Sequence, residues 1–372
     1  MIDVLTLEGT PTERGRRHGE AFADEVAANV DRYLRRFAHY GVDAETALEM
    51  AREFVPLVED GAPAYAAEMR GVAAGSGVPL AKVTLLNARY EVLYGAFAGA
   101  AAEDGPGDAP ERERPPSPDG CTSFALQGEV TADGRPYMGQ NWDWMPDVDV
   151  LVTAVRGDDV ATHVAFTEAG IVGGKIGVNK HGTSLALNGL VTSADGESPF
   201  RLPYHVRFRD VLNADRLSGA VGAVIGSDRA CSANVLLGSA AGEFVNLEVL
   251  PESATPISPD GGVLTHANHL EAATAADSRF ERLLPDTVCR APRLRRLLER
   301  DAGSLSVGDA KAALRDHFDR PASICRHPDP DVPVDERSVT RASAIIDPTE
   351  RTLAVTDGQP CENDYRTVGL DA

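Results

Sequence analysis

Lysine is nearly missing from this chain of 372 residues. It stands only at 82, 175, 180 and 311, and 36 basic residues minus these four leaves 32 arginines. Positive charge as a whole is outnumbered, 36 Lys+Arg against 57 Asp+Glu, for a net charge of −21. Such a surface repels phosphate backbones, which excludes nucleic acid as a partner. No run approaches the ~18 apolar residues of a membrane-spanning helix, so no membrane partner is expected. The opening MIDVLTLEGTPTERG has no basic segment followed by an apolar one; a secretory leader is not expected, and the protein is read as cytoplasmic. Cysteines are few, at 121, 231, 289, 325 and 361, odd in number and without a CxxC pair. That spacing suits neither a disulfide framework nor a zinc site, so reduced thiols and no metal are expected. An acidic, lysine-poor surface fits a halophilic source, because dense carboxylates hold hydration in high salt. A GC-rich codon bias depletes lysine as well.

What is present begins with helical periodicity. Residues 1 to about 97 read as helical, with Phe22, Val26, Val30, Tyr33 and Phe37 recurring at three- and four-residue spacing between Pro11 and Tyr40. Further helices are expected at about 43–59, 62–75 and 80–96. Residues 100–120, AAAEDGPGDAPERERPPSPDG, hold five prolines and many charges and read as an exposed, mobile loop. Past it the texture turns to strands. TSFALQGEV and PYMGQNWDW flank a turn at Ala132-Asp133-Gly134-Arg135. THVAFTEAG, KIGVN, TSLALNGL, NVLLGSAAGEFVNLEV and SAIIDPTERTLAVTD follow, with helical patterns at about 203–225, 277–299 and 306–319. Hairpins in series with helices in blocks predict an α+β layered fold. The chain divides into a helical segment, 1–120, and a core, 121–372, with the first packed on the second.

The chemistry centres on SPDGCTSFALQG, which sets a thiol directly after Gly120. If the bond between Gly120 and Cys121 is cut, Cys121 carries both a thiol and an α-amine. The amine has a pKa of about 7.7–8.0 and serves as the base for its own thiol. The same thiol is able to make the cut by attacking the Gly120 carbonyl. The plainer reading is a small buried residue opening a strand. A turn centred on Asp133-Gly134 brings Asn141 and Asp143 beside Cys121. A two-residue turn pairs Asp143 with Phe124 and puts it on the face opposite Cys121; a three-residue loop or one bulge restores the same face, and that arrangement is expected.

DGCTSF, then GQNWDW, FTEAGIVGGKIGVNKHGTSLALNGL, THANHL and ASICR, in this order, resemble the isopenicillin-N acyltransferase family, the cysteine branch of the N-terminal-nucleophile hydrolases. The match is strongest from about 118 to 192, recurs at 264–270 and 321–326, and takes in TPTERGRRHG near the start. The resemblance implies a four-layer αββα sandwich and self-cleavage before Cys121. The two fragments then stay together as an α/β heterodimer. It implies Cys121 as nucleophile, Asp143 as the acid that orients the α-amine, Asn268 and Asn188 as oxyanion amides, and Arg326 as the arginine near the thiol. Asn141, Glu168 and Ser323 fall inside matching motifs and read as supports. The interval from the cysteine to NWD is four residues longer than in the fungal enzyme, and the 100–120 loop reads as an insertion. Both leave the substrate open.

The function expected is hydrolysis or transfer of an acyl group from a small N-acyl amide or thioester through an acyl-enzyme on Cys121. No cofactor is expected, with acyl-coenzyme A kept as an alternative co-substrate. Two other readings stand beside it: an unprocessed small-molecule binder, and a papain-like thiol hydrolase with a histidine base. His266 and His269 lack a third ligand at a recognisable spacing, so no metal is assigned to them. Trp142 and Trp144 are expected to wall the pocket or core, and Cys325 to be packed.

Overall fold

The computed structural model describes residues 1–94, 96 and 120–372. The expected 100–120 loop lies outside the described residues except for Gly120, which opens a strand. In chain order the strands are β1 (Asp3–Leu7), β2 (Gly120–Leu126), β3 (Tyr137–Trp144), β4 (Val150–Gly157) and β5 (Val160–Glu168). Next come β6 (Ile176–Asn179), β7 (Ser184–Gly189), β8 (Ala233–Gly238), β9 (Phe244–Val249) and β10 (Ala254–Ile257). The last are β11 (Val263–His266), β12 (Val339–Asp347), β13 (Thr352–Val355) and β14 (Arg366–Gly369).

Strands covered on both faces are buried at every position rather than at alternate ones. β2 and β3 are of this kind along their whole length. They lie inside a six-stranded sheet ordered β11-β2-β3-β12-β13-β14, which faces an eight-stranded sheet ordered β1-β4-β5-β6-β7-β8-β9-β10. Helices Tyr204–Asn213 and Leu217–Ile225 cover the outside of the larger sheet. Helices Thr287–Glu299 and Val307–Leu314 cover the smaller one. The result is the αββα stack. Its largest apolar cluster joins the space between the sheets to the N-terminal helices and the helices over the larger sheet, and a second lies under the helices of the smaller sheet, with Phe124, Leu126, Leu294, Leu298 and Ile345.

The N-terminal part departs from a purely helical reading, because β1 pairs in parallel with β4 at the edge of the larger sheet. The expected helix from Pro11 to Tyr40 is two, Pro11–Ala21 and Ala23–His39, broken at Phe22. Helices Ala44–Gly61, Pro63–Ser76 and Leu80–Asn87 follow, and residues 89–94 are helical again.

TPTERGRRHG has a packing role. Thr10 and Glu13 form a capping box that starts the first helix. Gly15 and Gly19 press against the helix Pro63–Ser76: a Cβ on Gly15 would stand 1.9 Å from the Glu68 carbonyl oxygen, and one on Gly71 2.5 Å from that of Thr12. The two backbones meet where no side chain fits. Between the helices and the core, Arg14 and Arg209 share the buried Glu68 carboxylate. Asn29 donates to the Asp149 and Ala169 carbonyls, and Asn87 to that of Gly170.

Candidate active site

The β2–β3 ladder decides where each side chain points. Gly120 pairs with Asp143, Cys121 with Trp142, Thr122 with Asn141 and Ser123 with Gln140. Directly opposed residues share a face, so Cys121 and Asp143 project to opposite sides of the sheet. The expectation of a shared face is therefore corrected. The connection, residues 127–136, contains a 3-10 turn at Gly128–Val130 and is longer than a two-residue turn, yet it shifts the register by an even number. The irregularity in this part of the sheet lies on β12, between Thr340 and Ala342.

On the outer face, toward the helix Thr287–Glu299, the Asp143 carboxylate has no exposure. Its Oδ1 accepts from Thr340 Oγ1 at 2.6 Å, and its Oδ2 from Arg326 Nε at 3.4 Å. Burial disfavours its charge more than Arg326, Arg290 and Thr340 restore it, and its pKa is raised to about 6. The carboxylate lies directly against Gly120: a methyl group there would stand 2.9 Å from Oδ2 and 3.3 Å from Arg326 Nε. Arg326 also donates to Asp286, whose pKa is lowered because Arg326 and Arg290 together outweigh its burial. The guanidinium of Arg326 is thus aimed at two carboxylates. Asn141, on the same face, donates to the Leu314 and Ile324 carbonyls at 2.8 Å each and ties β3 to the segment that carries Arg326. Ser323 closes a local turn onto the Cys325 carbonyl.

Arg290 is the group that reading the residues missed. Its guanidinium donates to the Cys121 carbonyl at 2.5 Å, to Thr122 Oγ1 at 2.8 Å and to Asn268 Oδ1 at 2.8 Å, and Nε holds Asp286 at 2.7 Å. In sequence it is one arginine in RAPRLRRLLER, four residues after an aspartate, and reads as an ordinary helix-surface pair. Only the packing of that helix on β2 buries it.

Asn268 Oδ1 accepts the Cys121 backbone N–H at 2.8 Å, while Nδ2 donates to the Gly189 carbonyl at 2.9 Å. Asn188 Nδ2 donates to the His266 and Ala267 carbonyls at 3.2 and 2.9 Å. The two amides cross-tie the ends of β7 and β11 beside Cys121. His266 is fixed from behind by the buried Glu248 at 2.9 Å, and His269 by Thr287 Oγ1 at 3.2 Å.

The inner face carries the thiol. Cys121 is 1 % exposed, and Trp142 beside it lies edge-on to Phe166. Lys175 Nζ stands 4.1 Å from the Trp142 ring centroid and pairs with Glu168, which also accepts from Tyr33 and from Arg89 Nε at 3.1 Å. Glu168 therefore anchors two buried cations in the inter-sheet space next to the thiol's neighbour.

With this geometry in place, the comparisons fall on one family. Residues 130–362 match the model described as acyl-coenzyme A:6-aminopenicillanic acid acyl-transferase, and the chain belongs to that family. The matched stretch holds Asn141, Asp143, Glu168, Asn188, Asn268, Ser323 and Arg326, and begins after Gly120 and Cys121. The chain is 28% identical over 330 residues to the acyl-coenzyme A:6-aminopenicillanic-acid-acyltransferase 40 kDa form of Emericella nidulans, covering 87% of this chain and 84% of that one. Among solved structures, a mutant of conjugated bile acid hydrolase from Clostridium perfringens has a TM-score of 0.46 at 12% identity, over 68% of this chain and 92% of that one. The Caenorhabditis elegans ortholog of N-acylethanolamine-hydrolyzing acid amidase has a TM-score of 0.45 at 14% identity, over 62% and 93%. No helix among the described residues is long and apolar enough to cross a membrane.

Proposed function

We propose that this chain is a self-processing cysteine amidohydrolase or acyltransferase, cut between Gly120 and Cys121, that carries an acyl group on Cys121 Sγ. The observation that supports it best is the way the uncut junction is held. The nitrogen of Cys121 is fixed by Asn268, its carbonyl by Arg290, and a buried carboxylate lies against the residue in front of it with no room for a Cβ. An ordinary strand start needs none of these.

In the self-cleavage step, Sγ attacks the Gly120 carbonyl, the C–N bond breaks, and the Cys121 nitrogen takes up the thiol proton. Water then opens the thioester, leaving a Gly120 carboxylate and a free Cys121 α-amine. The amine is the former amide nitrogen of Cys121, freed on the side where Asp143 lies against Gly120, and we assign Asp143 to orient it and balance its protonated form. Asn268 keeps its acceptor on the same nitrogen. Its Nδ2 carries two hydrogens, and the one not given to Gly189 is the donor we assign to the developing oxyanion, an interaction typically worth about 3–4 kcal/mol. Asn188 braces the HANH turn. Arg326 acts on the amine through Asp143.

In turnover the α-amine accepts the thiol proton, Sγ attacks the substrate carbonyl, and the proton passes to the leaving group. Water or an amine then releases the acyl group from sulfur. The relative from Emericella nidulans makes acyl transfer from a coenzyme A thioester one such reaction, and hydrolysis of a small N-acyl amide is the other. The strand β1, inside the α fragment, remains hydrogen-bonded to β4, so both fragments stay together as a heterodimer.

Intact-protein mass spectrometry tests the reading. The expected result is two fragments meeting between residues 120 and 121, and a whole chain for Cys121→Ala. A single uncut chain that turns over an amide or thioester substrate would overturn it.

A further inference from the structure

Two cysteines and two histidines that sequence spacing left unconnected converge behind the site. His317 follows the helix Val307–Leu314, Cys325 and His327 lie in the segment leading to β12, and Cys361 lies between β13 and β14. One ligand atom from each lies within 4.8 Å of all the others. Four contacts define the cluster: His317 Nε2 to His327 Nε2 at 3.0 Å, Cys361 Sγ to His327 Nε2 at 3.3 Å, Cys325 Sγ to Cys361 Sγ at 3.5 Å, and Cys325 Sγ to His327 Nε2 at 3.7 Å. A tetrahedral zinc site with Zn–S of about 2.3 Å and Zn–N of about 2.0 Å has ligand–ligand edges of about 3.3–3.8 Å. These four of the six edges fall in or next to that range, and the two from His317 to the sulfurs are within 4.8 Å. The sulfurs at 3.5 Å are not bonded to each other, and both cysteines are free thiols.

We propose that His317, Cys325, His327 and Cys361 bind a structural zinc ion. Two thiolates and two imidazoles select a tetrahedral, borderline-soft cation over magnesium or calcium, which take oxygen ligands. Binding displaces the two thiol protons to solvent and uses the neutral imidazoles. The outer nitrogen of His327, Nδ1, accepts from Arg320 Nη2 at 3.3 Å and lies 3.8 Å from the Glu362 carboxylate; zinc on Nε2 would put the proton on Nδ1, displace the Arg320 donor and leave Glu362 as the nearby acceptor. The surrounding backbone is already tied for the purpose. Cys325 N donates to the Asp316 carbonyl, His327 N to that of Pro321, and Arg315 Nε to that of Pro360, next to Cys361. The absence of a CxxC pair therefore did not exclude a zinc site: the ligands come from three segments, and only folding joins them.

The site has a structural consequence. Arg326 stands between two ligands, and the Ile324 carbonyl just before them accepts from Asn141. A metal here clamps the segment that delivers Arg326 to Asp143 and Asp286. This consequence for cleavage rests on the proposed function; the metal site does not.

The test uses the full chain, purified without chelator from zinc-supplemented medium. Elemental analysis is expected to find about one zinc per chain in both the wild type and Cys121→Ala. Exchange into cobalt is expected to give the visible bands of a tetrahedral ion with a sulfur-to-cobalt charge-transfer band, a readout that needs no variant at the ligands. Cys325→Ser and Cys361→Ser should each lose the metal. Wild-type chain that holds no zinc and shows no tetrahedral cobalt spectrum, or whose Cys325 and Cys361 are joined as a disulfide, overturns the site, as does retention of zinc by either serine variant. Zinc in an uncut chain would sink the proposed function and leave the site standing; a cut chain without zinc would do the reverse.

Discussion

The two faces of the β2–β3 hairpin are equally buried and chemically opposite. The inner face sets Cys121 beside Trp142, Phe166 and the Lys175–Glu168 pair. The outer face sets Gly120 against a run of alternating charges, Asp143, Arg326, Asp286 and Arg290. The thiol belongs to one side and the charged groups to the other. The main chain of Cys121 is where they meet, since Arg290 grips its carbonyl and Asn268 its nitrogen. A pleat thus separates the thiol from the charged groups; under the proposed function the outer face would make the N-terminus and the inner one would meet the acyl group.

The largest expected effect is at Asp143. Asp143→Asn should slow self-cleavage by roughly 10²–10³-fold, the scale for a lost electrostatic stabiliser, measured as uncut chain against time. The wild-type rate should fall as pH drops through about 6, because Asp143 protonates there and no longer stabilises the positive charge that builds on the Cys121 nitrogen as it takes up the thiol proton. For stability the sign is reversed. A carboxylate whose folded pKa lies above its unfolded value of 3.8 binds its proton more tightly in the folded chain, so its contribution to stability rises as pH falls from about 6 toward 3.8. A stability curve and a cleavage curve that moved together across this window would break the division between the faces.

Arg290→Met comes next. It strands Asp286 beside a single arginine and leaves the Cys121 carbonyl without its donor, at a cost of about 3–5 kcal/mol for breaking a buried ion pair, read by denaturant unfolding of the Cys121→Ala background. Gly120→Ala is smaller. Its methyl must displace the Asp143 carboxylate, at about 1–3 kcal/mol, and cleavage should slow with little change in the fold of the other residues by circular dichroism. The smallest is Trp142→Phe on the inner face, which weakens the Lys175 cation–π contact and costs about 1–2 kcal/mol. It should alter KM of the processed enzyme while the cut at residue 120 proceeds at its normal rate. A strong cleavage defect in this variant would erase the distinction between the two sides.

Local physics made much of the fold legible. Helices expected at about 43–59 and 62–75 appear as Ala44–Gly61 and Pro63–Ser76, because apolar spacing, an Asp43 cap and Pro63 at the first turn mark them in the chain itself. The strands of THVAFTEAG, TSLALNGL and NVLLG appear as β5, β7 and β8 for the same kind of reason. β1 was hidden because DVLTL is short and finds its partner, β4, far along the chain. Parity within the hairpin was hidden too, since one residue more or less in a ten-residue connection flips every side chain and no local propensity counts them.

The sequence by itself determined most of the order of elements, β1 excepted, the thiol placed after a glycine, and the motifs that mark the family, because these depend on near neighbours along the chain. Tertiary structure alone decided which face each side chain took, that Arg290 donates to the Cys121 carbonyl, and that two cysteines and two histidines from three segments share one point. Those outcomes depend on distances between residues remote in sequence, which are set only when helices and sheets pack.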